Sequence, residues 1–167
     1  GVELLRLCAA HPHFNVTYAT GDTQAGTLAR SLYPSLSANY PNLVFEEFSL
    51  EKALQCDVLF LALPHEASLE LVPQLYSKVK LVVDLSAAYR LKNASLYPKW
   101  YGFEHTHPDL IEHAVYGLPE INREQLHSAR LIATPGCYVT AASLALSPLV
   151  AAAVIQAEGV IVDAASG

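Results

Sequence analysis

Three runs of nearly uninterrupted apolar residues stand out along the chain, and each ends at a turn former. Asp57–Leu63 (DVLFLAL) stops at Pro64, Lys80–Leu85 (KLVVDL) gives way to Ser86, and Arg130–Ala133 (RLIA) stops at Thr134-Pro135-Gly136. Runs without alternation suit strands buried on both faces, as in a parallel sheet. Two weaker strand candidates precede them: Val16–Thr20, closed by Gly21-Asp22, and Leu43–Phe45. Val160–Val162 reads as a last strand running towards a turn at Ser166-Gly167.

Between these runs the apolar period lengthens. Val2, Leu5 and Ala9, with Leu4, Leu7 and Cys8 beside them, predict a helix at the start. His65–Tyr76 places Ala67, Leu71 and Leu75 at fourfold spacing, with Val72 adjacent. Asn122–Ser128 predicts a short helix with an Asn cap and Glu124-Gln125 in its first turn. Tyr138–Ala153 predicts a long Ala/Leu-rich helix, broken or kinked near Pro148. Strands alternating with helices predict a doubly wound, Rossmann-like α/β fold. Such sheets bind ligands at the carboxyl ends of their strands. The turns at Gly21-Asp22, Pro64-His65, Ser86 and Pro135-Gly136-Cys137 are therefore where chemistry is expected. Lys92–His107 is aromatic and irregular and reads as a long ordered loop.

Composition narrows the function classes. Hydrophobic residues make up 52% and charged residues 16% of 167, which suits a buried core rather than disorder. The net charge is −6 and no basic run occurs, so a nucleic-acid surface is not expected. Leu131–Ala157 carries no charge, but Pro135, Gly136, Thr140, Ser143, Ser147 and Pro148 interrupt it; it reads as strand, turn and helix rather than a membrane span. Cys8, Cys56 and Cys137 form no disulfide framework and no zinc pattern, which points to a reducing, cytoplasmic setting. The pairs His11/His13 and His105/His107 sit beside prolines in turns, and no metal site is expected.

Cys137 is the sharpest chemical feature. An apolar strand delivers the chain to Pro135-Gly136, and the cysteine stands where a helix begins. Helix N-termini favour negative charge, so this position favours the thiolate, which is the nucleophile. The first N–H groups of the helix, next to Gly136, can also hold an oxyanion or a phosphate. Position alone leaves a small buried hydrophobe as the alternative, and that is the reading for Cys8 and Cys56.

Four segments carry a family resemblance, in order along almost the whole chain. Ala133-Thr134-Pro135-Gly136-Cys137-Tyr138-Val139-Thr140 resembles the active segment of N-acetyl-γ-glutamyl-phosphate reductases, with Val139 where the family usually has Pro. Leu63-Pro64-His65-Glu66-Ala67-Ser68, Asp84-Leu85-Ser86-Ala87-Ala88-Tyr89-Arg90 and Tyr116-Gly117-Leu118-Pro119-Glu120 resemble the family's other motifs. The resemblance implies NADPH-dependent reduction of an acyl phosphate to a semialdehyde in arginine biosynthesis, through a thioester on Cys137. It implies that Arg90 and Gly136 meet the substrate. A surface Arg90, or one paired with Asp84, is the bland alternative. It implies a cofactor site with Gly1, Thr20, Pro64, His65 and Ser86, in which His65 can line the pocket, cap its helix or act as a base. Gly1 would correspond to the last glycine of the family's glycine-rich loop, so both ends are expected to be truncated and the chain by itself inactive. Thr20-Gly21-Asp22 stands where the family often has Thr-Ser-Arg; NADP is the expected cofactor, with NAD the alternative that Asp22 favours.

The expected layout is an NAD(P)-binding domain over 1–136 and, from 137 to 167, the start of an α+β substrate and dimerisation domain. A small-molecule acyl phosphate and a second copy of the chain are the expected partners, with neither nucleic acid nor membrane. The rivals are a sibling reductase acting on N-acetyl-aminoadipyl or aspartyl phosphate, and a non-catalytic nucleotide-binding module.

Overall fold

A computed structural model describes residues 1–165; the expected turn at Ser166-Gly167 lies outside the described residues. Four strands form one sheet: β1 (Val58–Leu61), β2 (Leu81–Asp84), β3 (Ala114–Tyr116) and β4 (Leu131–Ala133). Their order is β1-β2-β4-β3, and β4 pairs in parallel with β2 on one side and β3 on the other. Sequence-distant neighbours joined in parallel require crossover connections, which helices supply. Among the described residues the α-helices are α1 (Val2–Ala10), α2 (Ala29–Leu32), α3 (Leu50–Ala53), α4 (His65–Leu75), α5 (Tyr97–Tyr101), α6 (Pro108–His113), α7 (Pro119–Leu126) and α8 (Cys137–Ala151). This is the α/β, Rossmann-like arrangement that the alternation of runs predicts.

The packing divides the chain into two compact units, Gly1–Leu59 and a second from Phe60 onward. In the first, Leu5 of α1, Ala29, Leu36 and Phe45 form the core, with Val2, Val16, Ala19, Tyr40 and Leu43 against it. In the second, Val72 and Leu75 of α4, Val82 of β2 and Leu131 of β4 are fully buried. Each such side chain contributes about 1.5–3 kcal/mol relative to leaving it in water.

Several elements differ from expectation. Val16–Thr20 and Leu43–Phe45 are not strands. They make isolated bridges, Thr20 with Glu46 in parallel and Leu28 with Val44 antiparallel. β-prone residues become a strand only where a neighbour continues the ladder, and these bridges stop after one pair. Val160–Val162 is likewise not a strand: Ile161 is 91% exposed, and no ladder holds it among the described residues. The stretch read as a loop over Lys92–His107 contains α5, ended by Gly102 in the left-handed conformation at φ 78°. α7 begins at Pro119 rather than Asn122, because proline's fixed φ suits a helix's first position. Asn122 is a non-helical kink within it, and its side-chain amide donates to the Tyr116 carbonyl instead of capping. α8 runs through Pro148, which falls within the last turn.

Candidate active site

The carboxyl end of β2 is built around Asp84. Its carboxylate is fully buried and accepts from Ser68 Oγ at 3.0 Å, the Ser86 N–H at 3.0 Å and Ser86 Oγ at 2.8 Å. Ser86 Oγ in turn accepts from the Ala88 N–H at 3.0 Å. A buried carboxylate is tolerated only when its lone pairs are used, and here α4 and the turn itself use them. The hydroxyl of Ser86 is thus engaged inside the turn, and the residue is only 7% exposed. The turn continues to Arg90, which is half-buried. Arg90 Nε donates to the Thr134 carbonyl at 2.7 Å and Nη2 to the Leu85 carbonyl at 2.9 Å. Arg90 thus spends two of its nitrogens on backbone carbonyls.

The carboxyl end of β4 is tied to the same place. Thr134 donates to the Asp84 carbonyl twice, from N–H at 2.9 Å and from Oγ1 at 3.0 Å. Gly136 then caps α8, and Cys137 is the first helical residue, with its side chain exposed. No side chain caps this helix, so the first N–H groups of α8 keep no side-chain partner. A Cβ added at Gly136 would lie 3.5 Å from Arg90 Nη1. Nε and Nη2 form one edge of the guanidinium, and both are taken by backbone carbonyls. Nη1 remains beside Gly136 and the entrance of α8. Arg90, Gly136 and Cys137, expected from sequence to act together, are therefore neighbours.

The other two strand ends add aromatic walls. β1 leads to Pro64, the cap residue of α4, and to His65, its first residue. His65 does not cap the helix; its ring lies flat on Phe103 at 5.0 Å between centroids, with Tyr101 at 6.4 Å, and its Nε2 is 3.2 Å from Glu66. β3 ends at Tyr116, whose register partner is Ala133 of β4. The half-buried Tyr116 phenol is raised from its ordinary pKa by burial, an effect Arg90 opposes. Gly117 follows because no side chain fits: a Cβ there would stand 2.7 Å from Ile132 Cγ2.

Two residues of the turn's support were not legible in sequence. His105 Nε2 lies 2.8 Å from the Ala88 carbonyl, and its Nδ1 accepts the His107 N–H at 3.2 Å. Tyr97, fully buried, accepts the Leu91 N–H at 2.9 Å and donates to the Leu91 carbonyl at 3.2 Å. Burial pushes the Tyr97 phenol up to about 12 and lowers His105 from the usual histidine range. Both act across a loop on backbone atoms, which leaves no motif. Among the described residues no group of His, Cys, Asp and Glu could hold a metal, and no helix is long and apolar enough to cross a membrane.

The remaining expected cofactor residues belong to the first unit. Gly1 caps α1, where no side chain covers the first N–H groups, and nothing lies within 4 Å of where its Cβ would be. Thr20 sits at the bridge with Glu46, and Gly21 is packed tightly on Phe45.

The profile of the semialdehyde dehydrogenase NAD-binding domain matches residues 1–129. The chain belongs to the semialdehyde dehydrogenase family. Over its whole length this family member is 45% identical to an N-acetyl-gamma-glutamyl-phosphate reductase of Pseudomonas fluorescens and 44% identical to one of Saccharophagus degradans. It is also 46% identical to a LysW-L-2-aminoadipate/LysW-L-glutamate phosphate reductase of Sulfurisphaera tokodaii. The match covers 100% of this chain and 48% of each of these proteins, so the chain spans about half the length of the curated relatives it matches. The semialdehyde dehydrogenase domain is a nucleotide-binding domain, in accord with the fold read from the strand runs.

Proposed function

We propose that the full-length protein reduces N-acetyl-γ-glutamyl phosphate to the semialdehyde with NADPH, releasing phosphate. The observation that carries this reading is the meeting of an exposed Cys137, at an uncapped helix N-terminus, with Arg90 Nη1 beside Gly136. The Cys137 thiolate adds to the acyl carbon, the carbon–oxygen bond to phosphate breaks, and phosphate leaves with the bonding pair. A thioester is left on Sγ. Arg90 Nη1 and the first N–H groups of α8 face the region where negative charge collects. The bound dinucleotide supplies hydride for the second half of the reaction. Cys137, a good leaving group, is then expelled as the aldehyde forms.

The residues present fit a dinucleotide. The N-terminus of α4 carries N–H groups without a side-chain cap, which suit phosphate, and the stacked His65–Phe103 pair offers an aromatic face. Pro64, His65 and Ser86 are assigned to that site, Ser86 by shaping its turn; in the first unit, Gly1 at the uncapped N-terminus of α1 and Thr20 are proposed as cofactor residues on the family resemblance alone. NADP is the proposed form, and Asp22 is the residue that would shift preference towards NAD. A homo-oligomeric, cytoplasmic enzyme completes the reading. The 46% identity to the aminoadipate and glutamate phosphate reductase supports a second reading, in which the substrate is the sibling aminoadipyl phosphate.

The test is reductase activity of the full-length protein on N-acetyl-γ-glutamyl phosphate and on the aminoadipyl analogue. Cys137→Ser should abolish turnover of whichever substrate is used. Iodoacetamide near neutral pH should label Cys137 faster than Cys8, which is partly covered and whose thiol is raised by burial, and faster than Cys56. An active Ser variant would refute the thioester route.

A further inference from the structure

His105 lies outside every motif of the chain, yet it holds the turn that carries Arg90. Its hydrogen bonds fix its proton. The Ala88 carbonyl can only accept, so Nε2 carries the hydrogen; the His107 N–H can only donate, so Nδ1 is bare. The ring is locked by packing: Tyr89 meets it edge-on at 5.2 Å, and Tyr97 and Phe103 lie at 4.7 and 6.5 Å. Several backbone groups of the turn have side-chain holders. Asp84 takes the Ser86 N–H, Ser86 Oγ takes the Ala88 N–H, His105 takes the Ala88 carbonyl, and Tyr97 takes both backbone groups of Leu91. Within this set His105 is the contact that comes from beyond α5 and fixes the middle of the turn, two residues before Arg90. Displacing Ala88 swings the base of Arg90, while Thr134 and Leu85 hold only the guanidinium edge.

We infer that His105 is a positioning residue for the anion site: by holding the Ala88 carbonyl it sets where Arg90 presents Nη1 beside Gly136 and Cys137. The inference rests on the proposed reading of Arg90 and Cys137 as a phosphate-handling pair. It assigns His105 no contact with substrate.

The test uses the full-length protein and inorganic phosphate as the probe. Phosphate should protect Cys137 from iodoacetamide, and the half-protecting concentration reports the anion site without any turnover. His105→Gln keeps an amide N–H near the place of Nε2 and should stay within about twofold of the parent protein. His105→Phe keeps the ring and loses the donor; the half-protecting concentration should rise about tenfold, the size of one disrupted hydrogen bond. Because a displaced guanidinium also alters the thiolate beside it, protection in each variant is scored against that variant's own phosphate-free rate. Should His105→Phe fail to fold, His105→Asn replaces it, because its shorter amide can still take the His107 N–H but does not reach Ala88. Equal protection in the Gln variant and in the Phe or Asn variant overturns the inference. So does a loss of the preference for Cys137 over Cys8 and Cys56 without phosphate, since that would make His105 a support of the whole fold. If phosphate fails to protect even the parent protein, the phosphate-handling reading fails with it.

Discussion

Arg90 uses one edge of its guanidinium for structure and leaves the other nitrogen for the proposed chemistry. Nε and Nη2 close the gap between the turns after β2 and β4, and Nη1 is left beside Gly136. Lysine cannot reproduce this, because its single ammonium lacks the planar fork that holds two carbonyls on one edge while a third nitrogen stays beside Gly136. Arg90→Lys should therefore cost stability as well as phosphate binding. The expected loss is about 1–3 kcal/mol, from carbonyls at Leu85 and Thr134 left without their donor. Denaturant titration measures it, and an unchanged midpoint with an unchanged slope would show that the fork is dispensable.

His105 makes a separate prediction about pH. Its ring faces Tyr89, Tyr97 and Phe103; His107 opposes its protonation, Asp109 favours it, and burial lowers its pKa below the usual 6.5. The unfolded chain therefore takes up this proton at higher pH than the folded chain. The stabilisation is fully present above about pH 6.5 and is lost as pH falls below that value through the folded-state pKa. Protonation would also put a hydrogen on Nδ1 against the His107 N–H. Melting temperature followed from pH 8 downward should fall more steeply below about 6.5 in the parent than in His105→Gln, which does not titrate there. Parallel curves would place the acid sensitivity elsewhere.

At the scale of elements, legibility followed length. β1, β2 and β4 lie within apolar runs long enough to stand out, and each run ends in a turn former, so the turns that gather Cys137, Gly136 and Arg90 were readable. β3 was not, because Ala114–Tyr116 is three residues held on one side by β4. Its position explains Gly117. The Gly117 N–H donates to the Ala133 carbonyl at 2.8 Å, and the backbone there passes so close to β4 that a methyl would strike Ile132 Cγ2 at 2.7 Å and crowd the Thr134 Cα at 3.3 Å. Ile132 is β-branched and in a strand, so its methyl has little room to turn away. Gly117→Ala should thus destabilise the second unit by about 1–3 kcal/mol, the range for overpacking. Thr134 is also the residue that receives Arg90, so the same substitution should raise the half-protecting phosphate concentration. Thermal melting and phosphate protection of Cys137 check the two effects, and a neutral result on both would mean that β3 yields without cost.

At the scale of the whole molecule, α8 is the longest helix among the described residues. It buries none of its fifteen residues, although its composition is strongly apolar. Val139, Ala142, Leu146 and Val150 recur at three- and four-residue spacing and so share one face of the helix. Val139 and Val150 are 52% and 38% exposed, and Ala142, Leu146 and Val150 line one shallow hollow. A helix this apolar requires a partner surface, and contiguous apolar area left in water drives association. The 167-residue chain alone should therefore self-associate in a concentration-dependent way. Replacing Leu146 and Val150 together by Glu should return it to a monomer, because Glu keeps helix propensity while charging the seam. Sedimentation velocity over a wide range of protein concentration makes the comparison. A parent chain that stays monomeric throughout would show that α8 tolerates its exposure. A double variant that associates as strongly as the parent would place the sticking surface elsewhere, with exposed Trp100 and Phe48 next to be tested.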